Sequence, residues 1–286
     1  MHEMQCPQPG QEHQVQEMQF KTVANEIQRE QRKLIPVNMS VEAQLNNVVK
    51  TQGAVHLTLI DPESQSPDTA GSMAAQAEEG GTDAIMVGGS TGSGGTVLDR
   101  TLKAIKEHTD LPTILFPASA GGISAHADAI FFMSLLNSRD VNYITTNQAL
   151  GAPLVKKYGV ETISMAYIII EPGGTVGWVG DARLIPRKKS SLAVAYALAG
   201  KYMGMHYIYL EAGSGAESPI PAAMVGAVKQ AVGEETKVIA GGGIRTGEIA
   251  ARLVKAGADM IVTGTIVEQV SDIKSKIREL VGAIKQ

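Results

Sequence analysis

Eight short apolar runs rich in β-branched residues recur along this chain of 286 residues, and segments of helical period separate most of them. Strand and helix alternating eight times predicts an α/β protein, a single closed (β/α)8 TIM barrel rather than an open sheet. Two further observations fit that class. The first run, AVHLTLIDP over 54–62, ends in an acid and a proline, where a barrel strand would deliver a carboxylate to its carboxyl end. Three later runs end in glycine-rich turns, and residues at such strand ends carry chemistry rather than packing. The composition permits the size. A barrel takes roughly 250 residues as one domain, and 44% hydrophobic residues with 31 glycines supply a large core and many tight turns.

Residues 1–35 stand apart, with eight glutamines, two prolines and only scattered apolar side chains. They read as a polar N-terminal extension, flexible at its start, and 36–286 as the barrel domain. A loose helix over 15–34 would place Met18, Val23 and Ile27 near one face and is given no catalytic role. A helix near 41–50 leads into the first strand. Later strands are expected over 84–90, 113–118, 129–135, 162–170, 207–212, 237–240 and 260–264. Helices are expected over 68–79, 97–108, 191–204, 219–232 and 247–255. One unit breaks the pattern. About ten residues, opening with Gly121 and Gly122, separate the third strand from the fourth, and a crossover normally needs a dozen or more. The third helical unit is therefore expected to be short or irregular, leaving an opening in the outer wall.

Composition also excludes functions. A net charge of -4 leaves no basic footprint for nucleic acid. The single cysteine, Cys6, rules out an intrachain disulfide or a cysteine-based metal cage. No apolar run approaches the roughly 20 residues that span a bilayer, and the start lacks the order of a signal peptide. A cytoplasmic location is the resulting expectation.

The densest local chemistry lies in the last three units. Tyr209, Leu210, Glu211, Ala212, Gly213, Ser214 and Gly215 end the sixth strand, Gly241-Gly242-Gly243-Ile244-Arg245 the seventh, and Gly264-Thr265 the eighth. Glycines let backbone N–H groups approach an anion, and the loops after strands seven and eight are the usual phosphate site of such barrels. The plainer reading is that they only make tight βα turns. Asp61 suits Mg2+, a cation that takes one or two carboxylates together with substrate phosphates, and Ser90 in VGGSTG adds a hydroxyl from the adjacent strand. A turn aspartate before proline, or a helix cap, accounts equally well for Asp61. Glu211 sits beside the phosphate loop, where it would accept a proton from a hydroxyl of the bound ester. His56, inside the first strand, reads as a packed core group. Arg245 reads as a phosphate contact or a salt-bridge partner, Arg187, Lys188 and Lys189 as an anion attractor or a solvated helix entrance, and Trp178 as the lining of an apolar cleft, a lid or a subunit contact.

In their order, AVHLTLIDP, IMVGGSTG, YLEAGSG, GGGIRTGEIA and VTGT closely resemble the geranylgeranylglyceryl phosphate synthase family, from about Val41 to the C-terminus. What the resemblance implies is transfer of a geranylgeranyl group from its diphosphate to the C3 hydroxyl of sn-glycerol 1-phosphate, with Mg2+ and release of pyrophosphate, in archaeal ether-lipid synthesis. It places Mg2+ at Asp61 and Ser90. Glycerol phosphate lies along Tyr209, Leu210, Glu211, Ala212, Gly213, Ser214 and Gly215, with Gly242, Gly243, Gly264 and Thr265. Glu211 then takes the proton and Tyr209 orients the glycerol. Many relatives carry a lysine soon after the IDP acid, whereas this chain reads Glu63-Ser64-Gln65. No DDxxD motif occurs, which sets the chain apart from the helical prenyltransferases. A homo-oligomer and peripheral proximity to a membrane for product delivery complete the expectation. The alternatives are a related synthase with another prenyl length, a phosphate-binding barrel isomerase or lyase, and a non-catalytic binding barrel.

Overall fold

A computed structural model describes residues 39–91 and 94–285. The N-terminal extension and the helix expected over 15–34 lie outside the described residues. Eight parallel strands close into a barrel in sequence order: β1 Val55–Ile60, β2 Ala84–Val87, β3 Thr113–Leu115, β4 Ala129–Leu135, β5 Glu161–Ile169, β6 Tyr207–Glu211, β7 Lys237–Gly241 and β8 Met260–Thr263. β8 pairs back onto β1, with Val55 opposite Met260. Such strands are buried on both faces, which is why they read as unbroken apolar runs. Alternate residues divide between two cores. Met165, Tyr167, Tyr207 and Tyr209 fill the barrel, while Ala166, Ile168, Ile208 and Leu210 pack against the surrounding helices.

The helices are α1 Val41–Gln52, α2 Pro67–Gly80, α3 Gly95–His108, α4 Asn147–Tyr158, α5 Gly174–Val179, α6 Ser190–Tyr202, α7 Ala222–Val232, α8 Gly247–Lys255, α9 Thr265–Gln269 and α10 Ile273–Ile284. α2 shows how local sequence sets a boundary. The Ser66 hydroxyl accepts the Thr69 N–H at 3.2 Å, Pro67 occupies the first turn, and Gly81 ends the helix at a φ of 101°. α1 lies across the amino ends of the strands. Glu161, opening β5, accepts the N–H groups of Val41 and Glu42 at 2.6 and 2.9 Å, satisfying donors that a helix start leaves orphaned.

The third unit has no helix; 116–128 crosses as turns and bends from the three-residue β3 to β4. The expected strands over 84–90 and 113–118 stop early, at Val87 and Leu115. Gly88 and Gly89 turn the chain out of the ladder, and Pro117 has no N–H to give one. Among the described residues three helical segments go beyond those expected, α4, α5 and the α9–α10 pair. α4 is preceded by a π-helical turn, Asn142–Thr146, whose Ile144 carbonyl accepts the Ser134 hydroxyl at 2.7 Å. The Gln148 amide donates to the carbonyls of Met133 at 2.6 Å and Tyr143 at 3.2 Å.

His56 is fully buried between Thr82 and Thr263 hydroxyls at 2.9 and 3.0 Å. Burial, with Lys285 as a second cause, lowers its pKa to about 3, so it is a neutral core group as the sequence reading holds. Among the described residues no helix is long and apolar enough to cross a membrane.

Candidate active site

The carboxyl ends of the strands open into one cleft with two unlike parts. Asp61, Gly88, Gly89 and Ser90 from β1 and β2 line one flank, and Ser214, Gly215, Gly242, Gly243, Gly264 and Thr265 from the last three units line the other. A second lobe is apolar, walled by Phe116, Ile123, Phe132, Met133, Tyr143 and Val176. Ile130 and Phe132 belong to the outward face of β4, which a third helix would otherwise cover. The missing helix therefore turns part of the outer wall into a groove continuous with the mouth.

Glu211 stands where the two lobes meet. It is 6% exposed, and its Oε1 accepts the Gly213 N–H at 2.6 Å. Parity along β6 turns it inward with Tyr209, and the register sets Tyr209 opposite Tyr167 of β5, with ring centroids 5.1 Å apart. Burial pushes the Glu211 carboxyl up, opposed by the Gly213 N–H and by the Tyr209, Ala212 and Tyr167 groups that favour its charged form. The same carboxylate and the burial hold both tyrosine hydroxyls well above their usual range, so they stay protonated donors. A poised carboxylate fed by two hydroxyl donors suits general-base chemistry on a bound alcohol.

The glycines beside it are required by space. Gly242 has a φ of 82°, and a Cβ there would run into the Glu211 carboxylate and lie 2.8 Å from Gly213 N. Ser214 and Thr265 hydroxyls meet at 2.8 Å, joining the sixth and eighth loops into one wall. Not every residue of the expected acceptor set faces that wall. Leu210 and Ala212 point into the outer core, and the Gly213 N–H is engaged by Glu211, so these three act through the backbone and through Glu211.

Asp61 and Ser90 come together on the opposite flank. Gly89 packs against the Asp61 carboxylate, which occupies the space its Cβ would fill. Glu268 of α9 also lines the cleft, and burial and the Asp61 charge push its carboxyl up. Among the described residues no group of three or more His, Cys, Asp or Glu forms a closed metal cage. One carboxylate and a hydroxyl facing a cavity nevertheless fit Mg2+, whose remaining ligands are waters and substrate phosphates.

The basic residues fall differently. Arg187 donates to the carbonyls of Glu171, Ser218 and Pro219, at 3.2, 3.5 and 2.6 Å, while Lys188 and Lys189 are exposed. None of the three lines the cleft. Arg245 does, and it donates to the Gly215 and Glu217 carbonyls at 3.0 and 3.2 Å, partners the sequence reading did not include. Trp178 is 85% exposed on α5, beside cleft-lining Val176 and Val179. Sequence reasoning missed Tyr167 and Glu268, and it expected the opening in the outer wall without the residues that line it. The signal for Tyr167 was its inward parity in β5, in phase with Tyr209.

A closed parallel barrel with a glycine-lined anion cradle and an apolar groove sharing one carboxylate defines a (β/α)8 barrel built to bring an anionic and an apolar ligand together. The PcrB family model matches residues 46–284. Similar over 248 residues, 87% of this chain and 100% of the relative, is the geranylgeranylglyceryl phosphate synthase of Methanococcoides burtonii, at 65% identity. Among solved structures, (S)-3-O-geranylgeranylglyceryl phosphate synthase from Thermoplasma acidophilum, in complex with substrate sn-glycerol-1-phosphate, matches with a TM-score of 0.83 and 44% identity, over 86% of this chain and 99% of that one. The wild-type enzyme of Thermoplasma volcanium matches with the same TM-score at 46% identity, over 86% and 98%. The chain belongs to the PcrB family, the family of the geranylgeranylglyceryl phosphate synthases it resembles.

Proposed function

We propose that this protein transfers a geranylgeranyl group from geranylgeranyl diphosphate to the C3 hydroxyl of sn-glycerol 1-phosphate, releasing pyrophosphate. The observation that carries the reading is the single cleft, in which the Glu211 carboxylate lies between a glycine-lined cradle and an apolar groove. Ser214, Gly215, Gly242, Gly243, Gly264 and Thr265 hold the acceptor's phosphate, and Tyr209 and Tyr167 hold its glycerol hydroxyls. The allylic chain lies in the groove over β4.

The bond between the prenyl C1 and its diphosphate oxygen breaks, and pyrophosphate leaves with the electron pair. The C3 oxygen then bonds C1 and gives its proton to Glu211, whose buried carboxyl is already raised toward that task. Anchoring by the phosphate makes the attack effectively intramolecular. Asp61 and Ser90 would hold Mg2+, and the ion when bound would supply charge neutralisation for pyrophosphate. The apolar wall excludes water, which would otherwise quench the allylic cation. The reading includes a cytoplasmic homo-oligomer that delivers its product near a membrane.

The test is incubation with sn-glycerol 1-phosphate, prenyl diphosphates of several lengths and Mg2+, followed by product mass and pyrophosphate assay. The geranylgeranyl ether with matching pyrophosphate is the expected result, and preference for another prenyl length would revise the donor. Binding of glycerol phosphate with no pyrophosphate would leave a non-catalytic barrel.

A further inference from the structure

Loop 213–219 follows Glu211 and forms one wall of the anion cradle. It is wedged between its neighbours with no room for side chains at the contacts. A Cβ on Gly213 would lie 2.7 Å from the Gly173 carbonyl carbon, and one on Gly243 would lie 2.8 Å from that of Ser218 and 2.9 Å from the Ala216 oxygen. Its carbonyls are accounted for almost in turn. Gly213 O accepts the Ala216 N–H at 3.1 Å, Arg245 takes those of Gly215 and Glu217, and Arg187 takes those of Ser218 and Pro219. Arg187 also holds the Glu171 carbonyl, so it ties the fifth loop to the sixth, as Arg245 ties the seventh to the sixth.

Two planar guanidinium forks on one short loop have a specific consequence. An anion is repelled by carbonyl oxygens and attracted by N–H groups, so a phosphate loop must keep its carbonyls turned away. With Gly215 O drawn to Arg245, the Gly215 carbonyl is kept from turning toward the ligand. We propose that Arg187 and Arg245 are positioning residues for the acceptor's phosphate, acting through the backbone of loop 213–219 and not by touching the anion. The assignment rests on the acceptor reading above. Lysine cannot replace either residue, because a single ammonium does not span two carbonyls as a fork does.

The experiment compares Arg245→Lys, Arg245→Ala and Arg187→Lys with the unaltered chain. KM for sn-glycerol 1-phosphate should rise about tenfold or more, the worth of a charged hydrogen bond. The kcat and the prenyl diphosphate KM should stay within about twofold, and added guanidinium should restore part of the loss in Arg245→Ala. In the ligand-free chain, amide hydrogen exchange across 213–220 should quicken in all three variants while the strands keep their protection. If Arg245→Lys and Arg187→Lys bind sn-glycerol 1-phosphate as tightly as the unaltered chain and loop exchange is unchanged, charge alone suffices and the proposal falls. If the unaltered chain fails to bind sn-glycerol 1-phosphate, the functional reading fails instead, while loop exchange still decides whether the arginines hold this backbone.

Discussion

At the amino end of the barrel, carboxylates close ion pairs within the wall; at the carboxyl end they line the cleft. Below, Asp83 is paired with Lys285 at 2.6 Å and accepts the His56 N–H at 2.9 Å, and Asp259 is paired with Lys229 at 3.0 Å and accepts the Val238 N–H at 2.7 Å. Above, Asp61, Glu211 and Glu268 share a cleft in which Arg245 is the one lining cation among the described residues, and its fork is turned to backbone. The same residue type thus closes a buried ion pair at one end and, on the proposed reading, faces a ligand at the other.

The contrast breaks most visibly at Glu211. Glu211→Gln keeps the size but removes the base, and single-turnover rates should fall by roughly 10² to 10⁴. Its folded pKa lies above the unfolded value, so the ionised carboxylate costs stability, a cost absent in acid that grows as pH rises through the raised value. Melting curves of the variant should therefore match the parent at acidic pH and lie above it at alkaline pH. A variant less stable at high pH would make Glu211 a structural group.

Lys285→Met tests the other end. Breaking a buried pair strands the remaining charge and typically costs about 3–5 kcal/mol, so denaturant midpoints should drop steeply while kcat of the folded fraction is unchanged. A fall in kcat with no loss of stability would erase the distinction between the ends. His56 adds a pH signature. Its folded pKa of about 3 lies below the ordinary 6.5, so its contribution is present above about 6.5 and is lost as pH falls toward 3.

A smaller effect is expected at Asp61. Asp61→Asn should raise the Mg2+ requirement about tenfold or more, read by titration of both activity and metal binding. Unchanged binding would remove Asp61 from the cation site. Smallest is Gly151→Val on α4, which sharpens the division within the cleft. A Cβ there would lie 2.7 Å from Ile123 Cδ1 across the groove, so KM for the prenyl donor should rise several-fold with little change for glycerol phosphate. Equal changes for both ligands would mean that the lobes are not separate sites.

The glycine-lined flank of the cleft was legible because its glycines are contiguous in sequence and sit at strand ends. Unbroken apolar runs also gave the strand count, and the ten-residue spacing before β4 gave the missing helix. The lining of the groove was not legible, because its walls come from the 116–123 crossing, both faces of β4, the π-helical turn and α5, which periodicity treats one at a time. The π-helical turn and Pro153 within α4 blur the helical period there. The backbone partners of the arginines were hidden for a related reason. A cation beside a glycine loop suggests an anion partner, whereas the carbonyls that Arg187 and Arg245 hold lie on loops distant in sequence.

The absent third helix also bears on the order in which ligands arrive. A barrel with every stave in place has one door, at the top, and whichever ligand enters first obstructs the next. On the proposed reading the flank over β4 would give the long tail its own side entrance, while the phosphate ester would descend through the mouth. Neither passenger has to wait for the other, so initial-rate patterns should be those of random addition, and strictly ordered kinetics would show that the two routes are not independent.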